Sequence, residues 1–171
     1  MVSPKEFWEF WGDDLVRAQP QALQGVSLPA QTKEFLLQVG LPRQADLLLS
    51  FQLDLDELPQ VGAPSEVFRI GTDGGTSICI DVSQGSCIVS IDPDNQLPTR
   101  FVNSGVSQLA ECLMIYRNSI GGLSRKDLSD DEALNLISKL SKEIEAADPE
   151  ALQGDDNWWS AIIEQTNAGL L

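Results

Sequence analysis

The segment from Val67 to Ile91, VFRIGTDGGTSICIDVSQGSCIVSI, constrains the fold more than any other part of this chain. It holds three short runs rich in Ile and Val: Val67–Gly71, Thr76–Val82 and Cys87–Ile91. Between them lie Asp73-Gly74-Gly75 and Ser83-Gln84-Gly85, residue types that accept the positive φ of tight turns. Connections this short cannot return the chain for a parallel pairing, so the runs predict an antiparallel meander. In the middle run Ile78, Ile80 and Val82 share one face and Cys79 and Asp81 the other, which is the period of a strand.

The flanking segments extend this picture. Residues 47–58, LLLSFQLDLDEL, alternate at Phe51, Leu53 and Leu55 and predict a half-buried strand near a sheet edge, with Asp54 and Asp56 turned outward. Leu97–Asn103 predicts the last strand, with Phe101 inward. Elsewhere the period is helical. Phe7, Phe10 and Trp11 form one stripe from Pro4 to about Gly12, widened by Trp8, behind the starting residues Ser3 and Pro4. QPQALQGVSLP reads as loop. A second helix begins at Pro29, with Phe35, Leu36 and Val39 on one face. It stops at Gly40-Leu41-Pro42, where glycine takes a left-handed conformation and proline forbids continuation.

From Ser104 the stripe is Val106, Leu109, Ala110 and Leu113, ended by Gly121-Gly122. Ser129 and Glu132 match a capping box, followed by Ala133, Ile137, Leu140 and Ile144, with Pro149 beyond the end. The final helix follows Asp155-Asp156 and carries Trp158, Trp159, Ile162 and Ile163. Strands joined by turns and flanked by helices at both ends predict an α+β domain with a mainly antiparallel sheet of about five or six strands. SRKDLSDD is a candidate hinge, but the helices after it need a core to dock on, so residues 1–171 read as a single domain.

Composition narrows the chemistry. The chain has no histidine, which removes Ser-His-Asp and Cys-His nucleophile systems and the commonest zinc ligand. Cys79, Cys87 and Cys112 are too few for a four-thiolate site and sit in apolar segments, as buried thiols do. Gly71-Thr72-Asp73-Gly74-Gly75 leads into a strand rather than a helix and lacks the Lys-Ser/Thr of a phosphate loop. Asp92-Pro93-Asp94-Asn95-Gln96 opens like a calcium loop, but Leu97 stands where the turn glycine belongs and Asn103 where the bidentate glutamate belongs. No cofactor or metal is expected, and no enzymatic activity.

Acids outnumber bases 26 to 11, a net charge of −15 that repels nucleic acid and anionic membranes and favours cationic protein partners. No apolar run is long enough to cross a bilayer, and MVSPKEFWEFWGDD is not a signal peptide, so the expected location is cytoplasmic.

The order FWEFWG, LPAQTKEFLLQVGLP, FRIGTDGGTSICIDVSQGSCIVSID, FVNSGVSQLAECL and NWWSAIIEQT resembles the SUKH superfamily, closest to its fourth subfamily of bacterial immunity proteins. Gly40-Leu41-Pro42, the Ile70-Gly71…Asp73 turn into Ile78-Cys79-Ile80-Asp81, and Phe101-Val102-Asn103-Ser104 carry the resemblance. Gly105 departs from it, standing where a second small polar residue is expected, and residues 121–150 read as a variable helical elaboration. The resemblance implies an α+β domain without catalysis, which binds and blocks a cognate polymorphic toxin. An acidic member would suit a basic nuclease or nucleic-acid deaminase. The alternative is a housekeeping adaptor or regulatory binding module on the same scaffold. A carboxylate-dependent hydrolase is a third reading, because 26 acids always offer some pair.

Six acids are the candidate partner-binding residues: Asp54, Asp56 and Glu57 on the edge strand, and Asp73, Asp92 and Asp94 on the turns. Each taken singly reads equally as a solvating charge that guards an edge or caps a turn.

Overall fold

The computed structural model describes residues 3–57, 66–94, 96–123 and 129–168. Helix α1 (Pro4–Trp11) begins with a complete capping box: the Ser3 hydroxyl accepts from the Glu6 N–H, and the Glu6 carboxylate accepts from the Ser3 N–H. Phe7 and Trp11, one helical turn apart, are buried. Trp8 does not widen the buried stripe; it is 41% exposed, with the Arg17 guanidinium over its ring. Residues 20–23, expected as loop, form a 3-10 turn that buries Leu23.

Helix α2 (Ala30–Gln38) ends as its sequence requires. Gly40 has φ +83° and donates its N–H to the Phe35 carbonyl, while a Cβ there would lie 2.0 Å from the Val16 carbonyl oxygen. Only glycine meets both demands. The chain then pairs β2 (Leu41–Pro42) with β1 (Leu15–Val16) in a small antiparallel sheet.

The main sheet is an antiparallel meander of β3 (Ser50–Glu57), β4 (Val67–Thr72), β5 (Ser77–Asp81), β6 (Cys87–Ile91) and β7 (Arg100–Asn103), in that spatial order. The strand expected from residue 47 thus begins at Ser50, and β3 is an edge strand, with Phe51, Leu53 and Leu55 buried and Asp54 and Asp56 exposed. Val82 lies in a 3-10 turn beyond β5. Phe101 faces away from the main core: a register shift between Ile88 and Val89 puts Val102 inside, and Phe101 pairs with Val89 on the opposite face. Alternation along a short strand identifies two faces, but the bulge in its neighbour chooses between them.

Against the inner face pack α3 (Val106–Leu123), α4 (Asp130–Ala147) and α5 (Trp158–Asn167). Helix α3 runs through Gly121-Gly122 instead of stopping there. A glycine inside a helix costs only about 1 kcal/mol, and α3 packs along α4. The Ser129–Glu132 capping box of α4 is formed. Residues 124–128 of the proposed hinge lie outside the described residues.

Sheet and helices meet at a buried polar junction. Asp148, directly after α4, accepts hydrogen bonds from the Asn103 amide (2.8 Å), the Ser104 N–H (2.8 Å) and the Ser104 hydroxyl (2.6 Å). Asn103 Oδ1 in turn accepts from the Trp159 indole N–H at 3.0 Å, and Asn103, Asp148 and Trp159 are all buried. Such a network holds only while every member is satisfied.

Truncating the fully buried Trp159 to alanine is expected to cost about 3–5 kcal/mol in urea unfolding. Asp148→Ala, which strands buried donors, should cost at least about 2 kcal/mol. Because both act on Asn103, their effects should be non-additive by about 0.5 kcal/mol or more; strict additivity would show that the junction is not one network.

Candidate functional site

Strand register sorts the six candidate acids. Ser50 pairs with Thr72, Thr72 with Ser77 and Ser77 with Ile91, so Asp73 and Asp92 lie at one end of the sheet. Asp56 pairs with Arg69 and Glu57 with Phe68, placing the β3 acids toward the other end. The acids therefore fall into two groups.

The β3 group lies on the outward face and end of the edge strand. Asp54, Asp56 and Glu57 are exposed, and Asp56 makes an ion pair of 2.6 Å with Arg69. Both partners are solvated, so the pair contributes at most about 1 kcal/mol. Leu55 has φ +54° within a register shift, and this irregularity, with the neighbouring charges, opposes pairing by a foreign strand.

At the other end the acids order backbone. The Asp92 carboxylate accepts from the N–H groups of Asp94, Gln96 and Leu97 at 3.0, 2.9 and 2.9 Å. These donors, that of Asp94 foremost, hold its carboxyl below the ordinary value of 3.8. Asp94 is exposed. Asp73 is saturated. Its Oδ1 accepts from the N–H groups of Gly75 and Thr76 and from the Thr76 hydroxyl, and its Oδ2 accepts from the Trp158 indole N–H at 3.0 Å. A short contact between the Thr76 and Ser90 hydroxyls extends this chain to β6.

That network is the floor of a cleft of about 270 Å³ between the sheet end and α5. Leu47 and Leu48 line one side, Leu97, Pro98 and Arg100 another, and Ala161, Ile162 and Gln165 of α5 a third. Leu48 is 80% exposed and Leu97 55% exposed. Leu47 and Leu48 are the central residues of a tight turn closed by the Leu49 N–H on the Asp46 carbonyl, and both have positive φ, +64° and +59°. For a side chain larger than glycine, that conformation costs about 1–2 kcal/mol per residue. The Asp46 carboxylate is held by Arg117 at 2.9 Å, so the turn is anchored to α3.

Burial pushes the thiols of Cys79 and Cys112 up to about 12 and also raises that of Cys87, so none supplies a thiolate nucleophile near neutrality. Among the described residues no group of three or more Cys, Asp or Glu is placed to hold a metal ion. No helix among them is long and apolar enough to cross a membrane.

Of the sequence candidates, only Asp73 lines the cleft. Leu48, Leu97, Arg100 and Trp158 escaped sequence reasoning. Leu47-Leu48-Leu49 looks like the start of a strand, and nothing local reports that the first two residues turn. A family model described as SUKH-4 immunity protein matches residues 2–165. No curated protein and no solved structure matches the chain.

Because the folded-state carboxyl of Asp92 titrates below its unfolded value, the order it imposes is complete above about pH 4 and lost as pH falls through the folded value. Protection of the Gln96 and Leu97 amides, taken relative to the intrinsic exchange rate at each pH, should fall over that range, and Asp92→Asn should lower it at neutral pH. Unchanged exchange in that variant would show that the loop is held by other contacts.

Proposed function

We propose, from the premise that this chain belongs to the SUKH-4 immunity protein family, that it binds a cognate toxin domain and blocks it by covering its working surface, with no catalysis of its own. The observation that carries this reading further is the net charge of −15. A toxin that handles nucleic acid has a basic groove, and an acidic protein competes for that groove. The favoured targets are thus a basic nuclease or a nucleic-acid deaminase, met in the cytoplasm.

In this reading residues 1–171 act as a single domain, and Asp54, Asp56, Glu57, Asp73, Asp92 and Asp94 supply negative potential at the contact. The β3 acids and Asp94 are the accessible members. Asp73 and Asp92 add charge while their oxygens order the turns. Hydrogen bonding does not neutralise a carboxylate, so Asp73 and Asp92 still contribute to the field, whereas Arg69 offsets the charge of Asp56.

The test is co-expression with a candidate toxin domain, a basic nuclease or a nucleic-acid deaminase. Growth arrest should be relieved and a stable complex recovered. Association should slow as salt rises toward about 0.5 M, where screening confines charge effects to a few Å. Replacing Asp54, Asp56, Glu57 and Asp94 with their amides should slow association without lowering the unfolding midpoint. Relief of toxicity with kinetics indifferent to salt and to these changes would remove the electrostatic part of the proposal. Absence of relief and of binding would remove the whole.

A further inference from the structure

We propose that the cleft at the Leu48–Leu97 end of the sheet anchors the partner by taking a polypeptide segment in which a carboxylate stands next to a large apolar side chain. The carboxylate meets Arg100, and the apolar side chain enters between Leu48, Leu97 and Ile162. The inference rests on the toxin-binding reading and names the recognition chemistry within it.

The turn at Leu47-Leu48 is the first observation. Positive φ at both central positions of a tight hairpin turn is the conformation that Asn-Gly adopts without strain. Two leucines occupy it here, and the second spends most of its apolar surface in water. Leu47 packs partly against the core, but at Leu48 a glycine would close the same turn at lower cost and with no apolar exposure. The turn is also over-determined: the Ala45 N–H donates to the Leu49 carbonyl, and Arg117 grips Asp46. Strain that the surroundings hold in place, combined with an exposed leucine, is how a binding site presents an anchor.

Position of the other apolar residues is the second. The large apolar side chains most exposed among the described residues are Trp8, Leu48, Leu97 and Leu134, and two of these four stand on the rims of this one cleft. Leu97 is not a loose tip, since Asp92 fixes its backbone. The floor is equally fixed, because Trp158 and Asp73 tie α5 to the β4–β5 turn. Such a pre-formed pocket with apolar rims costs little ordering on association. A small molecule inside about 270 Å³ would leave Leu48 and Leu97 in water. A polypeptide that lies across the mouth covers both.

Charge selects the chemistry. Both oxygens of Asp73 already accept hydrogen bonds within the cleft floor, so its charge acts at a distance and not as a direct ligand. The Arg100 side chain is half-buried in the cleft lining and makes no hydrogen bond or ion pair among the described residues, while its backbone pairs with Ser90. In contrast, Arg69 and Arg117 are paired with carboxylates. In a chain with 26 acids, an uncommitted arginine in an apolar cleft is a site for a carboxylate from outside, which a guanidinium binds through two parallel hydrogen bonds.

The experiment compares three variants of the full chain against the co-expressed toxin domain. Leu48→Gly, which relieves the positive φ at the exposed position and leaves Leu47 on the core, should not lower the unfolding midpoint and should weaken toxin binding at least about tenfold. Arg100→Gln should weaken binding by a similar factor with the midpoint unchanged. Leu134→Ser, on α4, should leave binding as it is. Binding unaffected by the first two variants, or weakened equally by Leu134→Ser, overturns the cleft while leaving the immunity reading intact. If the toxin domain does not bind the unaltered chain, that reading fails and a second measurement decides the cleft alone. The indole N–H signal of Trp158 is followed while acetylated, amidated Phe-Glu-Leu is added up to about 10 mM. The signal should move with this peptide, and should stay still with Phe-Gln-Leu or in Arg100→Gln. No movement, or equal movement with both peptides, overturns the proposal.

Discussion

The buried carboxylate of Asp148 is the point at which sheet and helices become one object. It gathers the end of β7 and the start of α3 through Asn103 and Ser104, and it reaches α5 because Asn103 passes the contact to the Trp159 indole. A charge in the interior is costly unless donors surround it, and here three donors do. The cleft depends on this junction. Trp158 follows the same helix and faces Trp159 edge-on at 5.0 Å, so whatever positions one indole positions the other. Asp73, held by Trp158, then fixes the turn that forms the floor of the cleft.

The two ends of the sheet do different work. Toward Glu57, acidic side chains and an irregular edge keep β3 from pairing with another chain. Toward Ser50, Asp73 and Asp92 are spent on backbone order, and the cleft there combines apolar rims with the Arg100 guanidinium. A strongly acidic protein can therefore attract a basic partner at long range and still recognise it through an apolar pocket. Long-range charge governs the rate of encounter, whereas the residence of a complex is set by buried contacts.

Several local features were legible because their physical cause is local. The capping box at Ser129 involves residues three apart, the helix start at Ser3-Pro4 needs only local chemistry, the stop at Gly40 needs only a left-handed φ and a following proline, and the alternation of Phe51, Leu53 and Leu55 needs only the strand period. Features that depend on neighbours distant in sequence were misread. Phe101 lies on the opposite face because β6 shifts register beside it. Gly121 continues a helix because α4 lies alongside α3. Leu47 and Leu48 turn where a strand was expected, and the Asp46–Arg117 pair that anchors this turn joins residues 71 positions apart.

By itself the sequence determined the α+β class, the order of elements, the family and the lack of histidine chemistry, since period, turn residues and composition are properties of neighbouring residues or of the whole chain. Tertiary structure alone decided which acids are spent on backbone and which face water, and that Leu48, Leu97, Arg100 and Trp158 share one cleft. Those residues come from three separate segments. Their meeting is set by strand register and by the polar junction that seats α5, and neither leaves a local trace in the chain.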